Sequence, residues 1–137
     1  MTNATPPPEL SELLLTMADG LREAIFATVQ AEGLLPPMAL ALRLLNEPMT
    51  MREIAETLSC DPSFVTQIAD GLERTGLAER RSDLSDRRVK RLAITAKGKR
   101  VRARIESRVS TNFGGFDRLT ESEILQLRRL LAKALTE

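Results

Sequence analysis

The chain has 137 residues, 42% of them hydrophobic and 28% charged, and a formal net charge of +1. That is one domain of ordinary size, able to bury a core, and no stretch reaches the roughly 18 apolar residues of a membrane span. It has no histidine and one cysteine, Cys60. It therefore lacks an imidazole base, a His- or Cys-rich metal cluster and an internal disulfide, and no cofactor or metal is expected.

Met1-Thr2-Asn3-Ala4-Thr5 places no basic patch before the first apolar segment, unlike a secretory leader. Together with the lone cysteine this fits a reducing, cytoplasmic setting. Pro6-Pro7-Pro8 reads as a stiff lead into a helix. From Glu9 to Glu32, Leu10, Leu14, Met17, Leu21, Ile25 and Val29 recur at steps of three and four, the spacing of one helical face. Leu13, Leu15, Ala18, Ala24 and Phe26 widen that stripe beyond the needs of one packing partner. Gly33 ends the helix, and Pro36-Pro37 opens a shorter one to about Asn46 with Met38, Leu42 and Leu45 inward.

Thr50-Met51-Arg52-Glu53 is a capping box opening a short helix with Ile54, Ala55 and Leu58 inward. Ser59-Cys60-Asp61 breaks it. Asp61 then caps a second helix, Pro62 takes its first position, and Val65, Ile68, Ala69 and Leu72 form its buried side up to Thr75-Gly76. Two short helices across a tight turn make a helix-turn-helix pattern, whose second helix enters the major groove of DNA by its N-terminal residues. Ser63, Phe64, Thr66, Gln67 and Asp70 remain outside. Hydroxyls and amides suit base edges and phosphates, and Gln matches the paired donor and acceptor of adenine. Phe64 has two readings, contact with a thymine methyl or inward packing. Asp70 and Glu73 would repel phosphates and are expected toward the helix's far end or side.

Leu77–Ser82 and Arg88–Ile94 read as two strands around the polar turn Asp83-Leu84-Ser85-Asp86-Arg87, a hairpin that converts the pattern to a winged helix. A guanidinium at its tip suits a narrow minor groove, and Asp86 beside Arg87 and Arg88 can hold an arginine extended through a bidentate pair. Thr95 caps a helix to about Asn112, with Val101, Ile105 and Val109 as its stripe. Gly114-Gly115 follows, and Thr120-Glu121-Ser122-Glu123 is a second capping box before Ile124, Leu127, Leu131 and Leu135.

Charge is concentrated in the same region. Residues 74–108 hold 13 Lys and Arg against four acids, a local +9 in a chain of net +1. A charge run alone is often only a solvated helix face; following a helix-turn-helix it marks a polyanion partner. The leucine-rich terminal helices either complete a monomeric core or pair two copies isologously, and their surplus apolar surface favours pairing. No phosphate-cradling glycine loop is present, and carboxylates such as Glu53 and Glu56 are merely at helical spacing, so the chain is not read as an enzyme.

The run from Leu58 to Leu77, followed by Asp86-Arg87-Arg88 and Ile94-Thr95-Ala96-Lys97-Gly98, resembles the recognition segment and wing signature of MarR-family transcriptional regulators. The likeness covers essentially the whole chain. It implies a mainly α fold with a small β-wing: a single domain over 1–137, with a winged helix-turn-helix at 36–94 flanked by dimerisation helices at 9–32 and 95–137. It implies a bacterial homodimer on a pseudo-palindromic double-stranded operator, a repressor released by a small organic effector, with no membrane partner. By position, Arg88 becomes the minor-groove arginine, Asp86 its supporting acid, and Ser63, Phe64, Thr66 and Gln67 the groove-facing side, with Arg87 and Lys90 also toward DNA. Leu10, Leu14, Ile124, Leu127 and Leu131 would hold the dimer. Phe64 departs from the polar residue more usual in the family, and four Phe with no Trp or Tyr leave few rings for a stacking pocket. Two other functions stay in view: a winged helix that binds protein, and a thiol-based redox sensor acting through Cys60. Cys60 precedes the recognition helix, where a small side chain packs, whereas a sensor needs an exposed thiol of lowered pKa.

Overall fold

The computed structural model describes residues 5–136; Met1 to Ala4, which carry the reading on secretory leaders, lie outside them, as does Glu137. The elements run α1 (Pro8–Ala31), α2 (Pro36–Leu44), β1 (Met49–Thr50), α3 (Met51–Leu58), α4 (Pro62–Arg74), β2 (Ala78–Ser82), β3 (Lys90–Ile94), α5 (Ala96–Phe113), a 3-10 turn (Gly115–Arg118) and α6 (Glu121–Leu135). The fold is mainly α with a small antiparallel sheet of order β1-β3-β2.

Local chemistry sets the boundaries. Thr50 Oγ1 accepts the Glu53 N–H at 3.1 Å while Glu53 Oε2 accepts the Thr50 N–H at 2.8 Å, closing the capping box of α3. Thr120 and Glu123 do the same for α6. Ser59 ends α3 in the left-handed region at φ 51°, and Asp61 then accepts the Ser63 N–H at 2.8 Å to start α4. Gly76, at φ 72°, turns the chain out of α4 toward the sheet.

The core lies where α2, α3, α4 and the sheet converge. Leu42, Leu45, Ile54, Leu72 and Leu92 are fully buried, each worth roughly 1.5–3 kcal/mol of transfer free energy. α5 closes one side with Val101 and Ile105, and Cys60 packs half-buried at the core's edge. Arg102 Nη1 donates to the carbonyls of Leu42 and Leu45 at 3.2 and 3.3 Å, satisfying the open end of α2.

Several expectations need correction. β1 was not anticipated: two residues carry no strand signal, and Met49 becomes one only by pairing with Leu92. The wing strands are shorter than 77–82 and 88–94 because Arg88 and Val89 belong to the turn, where the Val89 N–H donates to the Asp86 carbonyl at 3.0 Å. On α1 the buried residues are Ala24, Thr28 and Val29, while Leu10, Leu14 and Ile25 are exposed and Met17 and Leu21 half-buried. Small Ala24 and hydrogen-bonded Thr28 lie in the part of α1 that meets α5, where Asn112 Nδ2 donates to Thr28 Oγ1 at 3.1 Å. Leu58, expected inward, is half-buried. α6 buries none of its residues.

Candidate nucleic-acid interface

α4 and the β2–β3 hairpin carry the residues singled out above. On α4, Phe64 is 41% exposed, which decides against inward packing. The exposed amide of Gln67 has no hydrogen-bond partner among the described residues. Ser63 and Thr66 are exposed but engaged: Ser63 Oγ donates to Asp61 Oδ1 at 2.6 Å, and Thr66 Oγ1 donates to the Pro62 carbonyl at 3.2 Å. These two hydroxyls help cap and brace the helix start, and their lone pairs remain free. Asp61 is correspondingly held below the usual carboxylate range, first by the Ser63 hydroxyl and then by its N–H.

The wing tip is built on carboxylates. Asp83 Oδ2 accepts from the Ser85 hydroxyl and from the Ser85 and Asp86 N–H groups at 3.2 Å each. Its other oxygen accepts from Arg91 Nε at 2.8 Å, and Arg91 Nη1 reaches Glu53 Oε2 at 3.4 Å. Glu53 is also the acid of the α3 capping box, so one chain of polar contacts runs from wing tip to helix start. The Ser85 hydroxyl and then Arg91 hold the Asp83 carboxyl far below its ordinary value. Beyond this brace Arg88 projects with its side chain 95% exposed. Asp86 Oδ1 accepts the Arg88 N–H at 3.1 Å and lies 3.6 Å from Arg88 Nε. In place of the expected bidentate pair, a single oxygen is shared between the backbone N–H and the guanidinium. Arg87 is exposed with no ion-pair partner among the described residues, and Lys90 Nζ donates to Ser82 Oγ at 2.7 Å.

Three features escaped sequence reasoning. Asp70 and Glu73 lie in the far half of α4, as expected, but they still border the same shallow depression as Gln67 and Arg74 and are paired with Arg80. Much of the +9 segment is internally committed: Arg91 to Asp83 and Glu53, Arg81 to Glu79, and Arg104 and Arg108 to Glu32. An apolar groove of about 1090 Å³ opens between α1, α2 and α5, lined by Ile25, Phe26, Leu40, Ile105 and Val109, with Arg22, Arg43 and Arg102 among its polar members. Apart from Arg81–Glu79, both on β2, these contacts join separate elements, which spacing along one helix does not report.

The terminal helices place Leu10, Leu14, Ile124 and Leu131 on the surface, with Leu127 half-buried. Among the described residues no single helix is long and apolar enough to cross a membrane, and no group of three or more Cys, Asp or Glu side chains is placed to hold a metal ion.

A helix-turn-helix followed directly by a two-stranded hairpin, with a third short strand completing the sheet, defines a winged-helix protein. Comparison with known proteins narrows this. The MarR family profile matches residues 39–90, from within α2 to the first residue of β3. The HTH-type transcriptional repressor MdtR of Bacillus subtilis (strain 168) is 29% identical over 116 residues, covering 82% of this chain and 75% of that protein. The structure of a MarR family protein from Bacillus stearothermophilus superimposes with a TM-score of 0.79 at 25% identity, over 92% of this chain and 90% of that one. CouR from Rhodococcus jostii RHA1, solved bound to p-coumaroyl-CoA, is 30% identical over 90% of both chains, with a TM-score of 0.66. The chain belongs to the MarR family of winged-helix transcriptional regulators.

Proposed function

We propose that this chain is a homodimeric repressor that reads a pseudo-palindromic double-stranded operator with α4 and the wing. The observation carrying this reading is Arg88: an almost fully exposed guanidinium beside Asp86, on a hairpin braced by Asp83 and Arg91. A cation held out from a fixed turn suits the strongly negative minor groove. Gln67, Phe64, Thr66 and Ser63 would face the major groove, with Arg87 and Lys90 meeting phosphates. Residues 36–94 act as the reading module. Residues 9–32 and 95–137 pair two copies through Leu10, Leu14, Ile124, Leu127 and Leu131; α6 fully buries no residue in its own chain, as suits a helix meant for a partner. MdtR, named a transcriptional repressor, supports the sign of regulation.

The groove between α1, α2 and α5 favours ligand release as part of the same function. Its walls are mostly aliphatic with one ring, Phe26, and arginines outnumber acids among its lining residues, which suits an organic anion with an apolar body. The 30% identical CouR was solved with an acyl-CoA thioester. The test is a mobility shift on the duplex upstream of the gene against a scrambled duplex, with and without aromatic acids and their CoA thioesters. Selective retardation, relieved by one ligand class, is expected. Equal retardation of both duplexes, or none, contradicts the operator reading.

A further inference from the structure

Asp70 and Glu73 sit on the second half of α4, and Asp70 is three residues, one helical step, from Gln67. Both border the depression that Gln67 lines, so they stand beside the proposed base-reading amide rather than behind it. Uncompensated, they would oppose a polyanion at close range.

Arg80, on β2 at the base of the wing, meets both. Its Nη2 donates to Asp70 Oδ1 at 2.8 Å and reaches the Thr66 carbonyl at 3.4 Å. Its Nη1 lies 3.1 Å from Glu73 Oε2, and its backbone N–H donates to Glu73 Oε1 at 2.9 Å. The side chain is only 26% exposed, so the guanidinium is turned into the helix and away from solvent. Arg80 is thus unlike Arg87 and Arg88, whose charges are presented outward.

We propose that Arg80 is a positioning residue for DNA recognition: it cancels the two carboxylates of the reading helix and ties the wing's base to that helix. This rests on the operator reading above. It deepens that reading by assigning the arginine a charge-masking role instead of a phosphate contact.

The test is a set of four proteins: wild type, Arg80→Ala, the pair Asp70→Asn with Glu73→Gln, and the triple variant. Each is titrated against the operator duplex at two salt concentrations and unfolded in urea. Arg80→Ala is expected to bind about tenfold or more weakly at low salt, with a smaller loss at high salt, because repulsion between exposed charges is screened. The Asn/Gln pair should bind at least as well as wild type, since amide oxygens still accept from Arg80. The triple variant should recover most of the loss. A triple variant as weak as Arg80→Ala would overturn the proposal in favour of direct phosphate contact, and so would a salt-independent loss. If Arg80→Ala does not fold, weaker binding by the Asn/Gln pair overturns it instead. Urea unfolding separates the two levels: coupling between Arg80 and the acids without any DNA binding by the wild type would reject the operator reading, and coupling with unchanged affinity would reject the masking role.

Discussion

Arg104 meets Glu32 side-on: Nε donates to Oε1 at 2.6 Å and Nη2 to Oε2 at 2.7 Å, joining the end of α1 to the middle of α5. Arg108 adds a third bond at 3.2 Å, and the Glu32 side chain is only 8% exposed. A parallel fork of this kind is stronger than an ordinary surface pair because both partners are pre-oriented and the acid is largely desolvated. Replacing Glu32 with Ala strands two guanidinium groups and should cost about 1–3 kcal/mol, read by urea unfolding. Equal stability of the variant would show the fork to be ornamental.

The same fork sets a pH dependence. The Arg104 hydrogen bonds hold the Glu32 carboxyl below its ordinary 4.5, outweighing the opposing effect of burial, and Asp83 is lowered by the Ser85 hydroxyl and Arg91. For a depressed carboxyl the unfolded chain binds more protons, so the stabilisation is complete above the ordinary value and disappears as pH falls through the folded one. With no histidine, unfolding free energy should be nearly flat between about pH 5.5 and 7.5 and should drop below about pH 4.5. In the Glu32→Gln variant the acid-side drop should be shallower. A slope across neutrality would contradict this assignment.

Gly98 occupies a site that no side chain fits. A Cβ there would lie 2.0 Å from the Leu77 carbonyl oxygen and 2.7 Å from Ile94 Cγ1, while the Gly98 N–H donates to Thr95 Oγ1 at 3.1 Å. The start of α5 is thus pressed onto the wing's base, and the Thr95-to-Gly98 spacing seen in the sequence is a cap joined to a close approach. Gly98→Ala should destabilise by at least about 2 kcal/mol. Gly71→Ala meets only flexible side-chain ends, Met38 Cε nearest at 3.3 Å and Arg74 Nη2 at 3.8 Å, and should be far milder. Comparable melting temperatures for the two variants would contradict the packing argument.

Much of the helical frame was legible because its signals are local. The capping boxes at Thr50 and Thr120, the Asp61-Pro62 start and the Gly76 stop each act within four residues, and all appear as expected. The contacts that shape the interface are not local. Arg91 reaches Glu53 across 38 positions and Arg104 reaches Glu32 across 72, so the run of positive charge looked freer in sequence than it is. The α1 stripe has a related limit: periodicity places Leu10, Leu14 and Ile25 on one apolar face, exposed in the single chain, but does not report which body covers it. The wing's ends shifted because turn hydrogen bonds at Asp86 outcompete the strand preference of Val89.

Asp83 should matter to binding more than to stability. Replacing it with Ala releases the turn amides and one side of Arg91 while leaving the core untouched. Amide exchange at Ser85 and Asp86 should quicken, and operator affinity should fall. Global stability should change little, because Asp83 lies outside the hydrophobic core and braces only the turn. Unaltered affinity would separate the brace from DNA recognition.

Arg88 and Gln67 should fail differently. Arg88→Ala should weaken every duplex with a narrow minor groove and, if it neutralises one phosphate's worth of charge, flatten the log–log salt slope by about 0.9. Gln67→Ala should relax preference at particular base pairs, by about 1–3 kcal/mol if the contact is bidentate. Identical, sequence-blind losses from both would contradict the division of labour.

The most direct test of the account is a hydroxyl-radical footprint on the operator duplex. Two copies reading through α4 and the wing predict two equivalent half-sites about 34–36 Å apart, each with a protected minor-groove patch that vanishes in Arg88→Ala. A single protected patch, or wing protection that survives loss of Arg88, would contradict it.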